Sequence, residues 1–154
     1  MIAAAPGDFA GVPATQLAAV RALGVPLSQA VSVLPEHGIL VDALIGYGLR
    51  GPLQGATQEL ITTASGSPAP VVSLDVPSGL DVDSGAALGP ALVADATMTL
   101  ALPKDGLLRP GAERLVGTLY LADIGVPGEV YARLGLAPPP LFREGPLVRL
   151  VRSA

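Results

Sequence analysis

The chain has 154 residues, is 50% hydrophobic and 14% charged, and carries a formal net charge of −4. That length suits one domain with a real core, and the apolar fraction excludes intrinsic disorder. Nine Lys and Arg, three Tyr, two Phe and no Trp supply neither the basic stripe nor the stacking surface of a nucleic-acid binder, and the absence of cysteine excludes disulfides, thiolate metal sites and a cysteine nucleophile.

The mean hydropathy of +0.56 raises the question of a membrane segment. The apolar stretches are broken by Asp42, Asp75, Asp95 and Pro103, so none reaches the ~20 residues of a spanning helix. Met1-Ile2-Ala3-Ala4-Ala5-Pro6-Gly7-Asp8 has no basic n-region and no long apolar h-region, so no signal peptide is expected and the cytoplasm is the expected location.

Taken in order, Ile2 to Ala5 reads as the end of a strand. Pro13 to Leu23 reads as a helix, with Leu17, Val20 and Leu23 on one face and Gly24 after its end. Val25 to Leu34 has no clear period. Gly38 to Gly46 is a nearly continuous apolar run typical of a buried parallel strand. A helix follows from about Ala56 to Ala64, then strands at Pro70–Leu74, Ala94–Leu102 and Thr118–Asp123, and a short helix at Gly128–Leu134. Strand–helix–strand alternation predicts an α/β fold with a mostly parallel sheet. Residues 1–137 are expected to form the domain. Residues 138–154 form a proline-rich, then basic, tail, either an extended arm or poorly ordered.

The chemistry-bearing segments cluster at predicted strand ends, where α/β folds bind ligands. Val71-Val72-Ser73-Leu74 delivers Asp75 into a loop that Pro77 and Gly79 prevent from continuing as strand. Gly46-Tyr47-Gly48-Leu49-Arg50-Gly51 matches G-x-G-x-x-G after a predicted strand, and Asp75 lies 24 residues beyond Gly51, near where a ribose-binding acid is expected. Pro52 and Gly55 delay the helix, however. A dinucleotide site, another anion- or ligand-binding loop and a plain turn all stay open.

Asp42 sits inside its apolar run and is either solvated at the strand end or buried with a partner. Lys104 follows another strand end and would give Asp75 a cationic neighbour for proton transfer, unless it is a solvated loop lysine. Asp81-Val82-Asp83-Ser84-Gly85 lacks the calcium-loop glutamate and reads as an Asx turn. Ser78 has no nucleophile-elbow context, and the single histidine, His37, reads as a loop residue.

Together these segments resemble the YjeF N-terminal domain family, the NAD(P)H-hydrate epimerases. The resemblance rests on Val41 to Leu49 with Pro52 and Gly55, on Asp75 to Asp81 with Gly85, on Ala94-Asp95-Ala96-Thr97 leading to Lys104, and on Gly117 through Asp123-Ile124-Gly125-Val126-Pro127. It implies a three-layer α/β/α Rossmann-like fold, commonly dimeric, and a role in nicotinamide nucleotide repair by epimerising hydrated NADH and NADPH. It places Asp42 and Ser78 at potassium-ligand positions. It places Gly46, Tyr47, Gly48, Leu49, Arg50, Gly51, Pro52 and Asp75 at substrate-binding positions. Asp75 is the expected acid/base, with Lys104 tuning its charge.

One departure qualifies this. The family's first strand and the Asn/Gly-rich G-N-N-G-G-D-G loop after it have no counterpart here, and Met1 falls near the family's second strand. An N-terminally truncated domain with impaired activity is therefore expected, its free sheet edges closing on each other or pairing with a second copy or with a partner chain that supplies the strand. Two other readings stand beside it: a non-catalytic dimerising or ligand-binding module of the same fold, and an NAD-binding Rossmann enzyme.

Overall fold

The structure is a computed structural model, and it describes residues 2–3, 9–28, 33–49, 51–137 and 140–151. Seven strands and five helices run in the order β1 (Ile2–Ala3), α1 (Val12–Ala22), β2 (Leu27–Ser28), β3 (Leu40–Asp42), α2 (Gly55–Ser65), β4 (Val71–Leu74), β5 (Ala96–Leu100), α3 (Asp105–Leu108), α4 (Glu113–Val116), β6 (Thr118–Ala122), α5 (Gly128–Arg133) and β7 (Leu147–Arg149) among the described residues. β3, β4, β5 and β6 are parallel neighbours in that order. β7 adds to β6 antiparallel, with Leu121 opposite Val148. The alternation read from the sequence thus gives the expected α/β fold with a mostly parallel sheet.

Several bounds shift. α1 begins at Val12 with Pro13 in its first turn, where a missing N–H costs nothing. The Gly38–Gly46 run yields a strand of three residues, Leu40–Asp42, and that strand is an edge of the five-stranded sheet. β1 pairs with β2 in a separate two-stranded sheet. Ala4 and Ala5, in the first predicted strand, lie outside the described residues. α3 and α4 are short helices that periodicity did not reveal, because one turn is too little to establish a period. Within the predicted tail, Leu147–Arg149 is extended and hydrogen-bonds to the sheet.

The register decides where the core lies. Leu40 and Asp42 stand on the same sheet face as Val71 and Ser73, Thr97 and Thr99, and Leu119 and Leu121. Apart from the half-buried Leu40, these residues are buried. Val76, Leu80, Val82, Leu107, Ala112 and Val116 pack with Leu119 in one cluster, and Leu53, Ile61, Ala64 and Leu92 form a second. The opposite face carries Val41, Val72, Leu74, Met98, Leu100 and Tyr120. It stays partly open: Val41 is 63% exposed and Leu74 37%. Neither α1 nor α5 buries a residue.

The segment after β4 is a closed loop. Leu80 N–H donates to Pro77 O, Leu88 N–H to Gly79 O and Leu92 N–H to Ser78 O. Gly79 occupies the third position of the 77–80 turn at φ 98°, and a Cβ there would lie 2.4 Å from Pro90 O. Only glycine meets both demands. Asp81 Oδ1 accepts from Asp83 N–H, Ser84 N–H and Ser84 Oγ, the Asx turn that the sequence predicts at the loop tip.

Candidate active site

Two carboxylates at adjacent strand ends have opposite surroundings. Asp42, the last residue of β3, is 1% exposed. Its Oδ2 accepts from Ser73 Oγ and from Ser78 N–H, both at 2.8 Å. Its Oδ1 accepts from Ser78 Oγ at 2.5 Å and from Leu44 N–H at 3.5 Å. All its partners are neutral. A carboxylate has about four lone-pair sites, and all are used. Of the two sequence readings for Asp42, buried with partners is the one observed. Ser78 Oγ also accepts from Ile45 N–H at 3.0 Å and lies 3.2 Å from Ile45 O. The cluster therefore ties the ends of β3 and β4 to the loops that follow them.

Asp75 is half-buried, with φ at 70°. Val76 N–H donates to Leu74 O at 3.0 Å, which makes Asp75 the centre of a γ-turn of the rare, strained hand. Such a conformation costs about 1–3 kcal/mol at a non-glycine residue, and strain of this kind gathers at functional sites. The turn swings the side chain over the end of β5. There Oδ1 accepts from Lys104 Nζ, from Leu100 N–H at 3.3 Å and from Thr99 Oγ1 at 3.4 Å. Oδ2 has no partner among the described residues, and it lies 3.6 Å from where a Cβ on Gly46 would stand. Asp75 is thus desymmetrised. One oxygen is held by the protein, and the other faces the glycine loop.

Lys104 is neither a free nor a solvated loop lysine. Besides Asp75, its ammonium donates to Thr99 Oγ1 and Leu100 O, each at 3.1 Å. An ammonium has three donors, so all are committed within the protein. Lys104 contributes fixed charge and position and has no proton left to offer a ligand.

The Gly46 loop faces this pair. Ile45 N–H is anchored on Ser78, and Gly89 stands within 3.7 Å of the Pro52 ring, measured from an added Cβ. Tyr47 is 66% exposed, Leu49 packs against the second core cluster, and Gly51 has φ at 83°. Arg50 lies outside the described residues. α2 does not begin until Gly55, so the loop does not open directly into a helix as the dinucleotide fingerprint does. A groove of about 450 Å³ runs elsewhere. It follows β3 past Ile39, Val41 and Asp42 to Leu60, Ala64 and Leu92, and Asp75, Lys104 and Tyr47 are not in its lining. That groove offers mainly apolar walls, whereas the strand-end pair presents a carboxylate and an ammonium.

Sequence reasoning missed Thr99 and Ser73. Both are buried hydroxyls that contact a site carboxylate. The available signal was the alternation Thr97-Met98-Thr99, which puts hydroxyls on one face of a strand leading to Lys104. His37, the predicted loop residue, is bonded through Nδ1 to Pro35 O and through Nε2 to Ser67 Oγ, away from Asp75.

The family profile of the YjeF-related protein N-terminus matches residues 1–106, a span that includes Asp42, the Gly46 loop, Asp75, Ser78 and Lys104. An NAD(P)H-hydrate epimerase of Dehalogenimonas lykanthroporepellens is 46% identical over 128 residues, which cover 79% of this chain and 49% of that protein. One from Truepera radiovictrix is 39% identical, over 94% of this chain and 63% of that protein. A bifunctional NAD(P)H-hydrate repair enzyme of Synechocystis is 38% identical, over 74% of this chain and 22% of that protein. The chain thus spans less than two thirds of the length of these curated relatives. The crystal structure of the yeast protein YNL200c shares the fold, with a TM-score of 0.69 at 23% identity, over 96% of this chain and 64% of that one. The strand-end aspartate, the glycine loop and the matched sequence agree, and the chain belongs to the YjeF-related protein N-terminus family.

Proposed function

We propose that this chain carries the reacting half of an NAD(P)H-hydrate epimerase site, acting on hydrated NADH and NADPH in nicotinamide nucleotide repair. The observation that carries the reading is the desymmetrised Asp75, with Oδ1 held by Lys104 and Oδ2 open toward Gly46. Epimerase relatives at 39–46% identity support the choice of substrate. Inverting a hydroxyl-bearing carbon next to the ring nitrogen requires the C–N bond to open, its electron pair passing to the nitrogen as the hydroxyl gives up its proton and becomes a carbonyl, and closure on the opposite face reverses both changes. Oδ2 of Asp75 is the base that takes the proton and the acid that gives it back. Lys104 keeps the carboxylate oriented. Gly46 to Pro52, with Arg50 among them, bind the nucleotide.

We assign Asp42 and Ser78 to a potassium site. A buried carboxylate with only neutral partners favours a cation; an ion held by Asp42 Oδ1, Ser78 Oγ and Ile45 O, an oxygen-only donor set of the kind hard cations take, would displace the hydroxyl proton that Ser78 directs at Asp42 Oδ1. A bound potassium ion would supply fixed positive charge beside the ligand. Thermal melts in KCl against NaCl and LiCl test it: equal midpoints in all three would remove the assignment. A cysteine-free chain suits the cytoplasm, where we place the activity.

Purified chain mixed with an epimer-resolved NADPH hydrate should equilibrate the two epimers faster than buffer does. No acceleration, with the ligand still bound, would favour the second reading, a non-catalytic dimerising or ligand-binding module. The observation behind that reading is the open edge and face at β3, where Ile39 is 56% exposed and Val41 63%. That edge suits a homodimer, or a partner chain that adds a strand.

A further inference from the structure

We infer that Thr99 is the positioning residue of this site. Its hydroxyl clamps the Lys104 ammonium against Oδ1 of Asp75 and so reserves Oδ2 as the reacting oxygen. The inference deepens the epimerase reading and rests on it only for its kinetic half.

Thr99 is fully buried on the covered face of β5. A threonine hydroxyl has one proton and two lone pairs. Donated to Asp75 Oδ1 at 3.4 Å, the proton turns the lone pairs toward Lys104 Nζ, which donates to Thr99 Oγ1 at 3.1 Å. Thr99 is thus the one side chain that hydrogen-bonds to both members of the pair among the described residues. The backbone works in the same direction. Ala101 has φ at 64°, and Leu102 N–H donates to Leu100 O at 2.8 Å, a second γ-turn of the strained hand one strand over from that of Asp75. It reverses the chain so that Lys104 reaches back to Leu100 O at 3.1 Å. Asp75 and Ala101 are the two non-glycine residues with positive φ among the described residues, and they flank this one ion pair. Strain at both ends of the pair and a shared buried hydroxyl between its members mark a built arrangement rather than a chance surface contact.

Thr97 provides an internal comparison. It is equally buried on the same face, but its hydroxyl donates to Val116 O at 2.7 Å, away from the site. Thr99→Val should preserve shape and remove the clamp. The ammonium of Lys104, followed by ¹⁵N-resolved NMR, should be slowly exchanging in the parent chain and exchange at least about tenfold faster in Thr99→Val. The same substitution should lower kcat for hydrate epimerisation roughly ten- to a hundredfold at nearly constant KM, the scale expected when a reacting group is misplaced. Thr99→Ser should restore both, and Thr97→Val should lower the melting temperature while leaving the Lys104 signal unchanged.

An unchanged Lys104 signal in Thr99→Val, or no rescue by serine, would overturn the inference. If Thr99→Val does not fold, the Thr99→Ala and Thr99→Ser pair decides the same point. If the parent chain turns over no hydrate, the epimerase reading fails, while the exchange measurement still judges Thr99.

Discussion

Asp75 and Asp42 show how the same side chain is put to two uses by its neighbours. Asp42 spends every lone pair on donors from Ser73, Ser78 and Leu44, and it is sealed from water. Asp42→Ala strands those donors. It should lower unfolding free energy by about 2–4 kcal/mol, read from the shift of a urea midpoint. Asp75 keeps one oxygen open, so Asp75→Asn alters chemistry more than folding. The amide retains an oxygen for Lys104 but cannot take a proton, and epimerisation should fall at least about a hundredfold with the melting temperature nearly unchanged. Comparable turnover in Asp75→Asn would remove the acid/base role. Burial and partner count separate the two residues, and neither is visible from an aspartate in a sequence.

At the scale of elements, the ends of β4 and β5 matter more than their lengths. Both strands turn out of the sheet through γ-turns with positive φ, at Asp75 and Ala101. Ala101→Gly should relieve about 1–2 kcal/mol of strain, set against about 0.4–1 kcal/mol for the freer unfolded chain. A net gain of about 0.5–1 kcal/mol in a denaturant titration is expected, together with a drop in kcat as Lys104 loses its fixed approach. A loss of stability would show that the turn is not strained. Pro77 and Gly79 made the β4 end legible in the sequence, because their backbone restrictions are local. The β5 end was legible only as a lysine after a strand. Thr99 meets Asp75 across 24 residues of chain, and local pattern carries no trace of that pairing. The same limit hid Ser73, 31 residues from Asp42.

For the whole molecule, the apolar run at Gly38–Gly46 predicted burial, and half of that expectation is met. Asp42 and, in part, Leu40 face the core, while Ile39 and Val41 do not. Composition and periodicity report that a strand wants covering on both sides, not whether its own chain covers it. Leu40 N–H donates to Pro70 O, so residue 40 directs its backbone toward β4 and residue 41 directs its own toward the open edge. A second copy pairing there would satisfy those groups and shelter Val41 from solvent. Val41→Lys puts a charge at the centre of that edge, a device natural sheets use against pairing. Val41 is 63% exposed, so the substitution should change the stability of the single chain by no more than about 0.5 kcal/mol. Sedimentation velocity at micromolar concentration should then find the parent chain as a dimer and Val41→Lys as a monomer. A monomeric parent would end the homodimer proposal, and a dimeric Val41→Lys would move the interface away from β3.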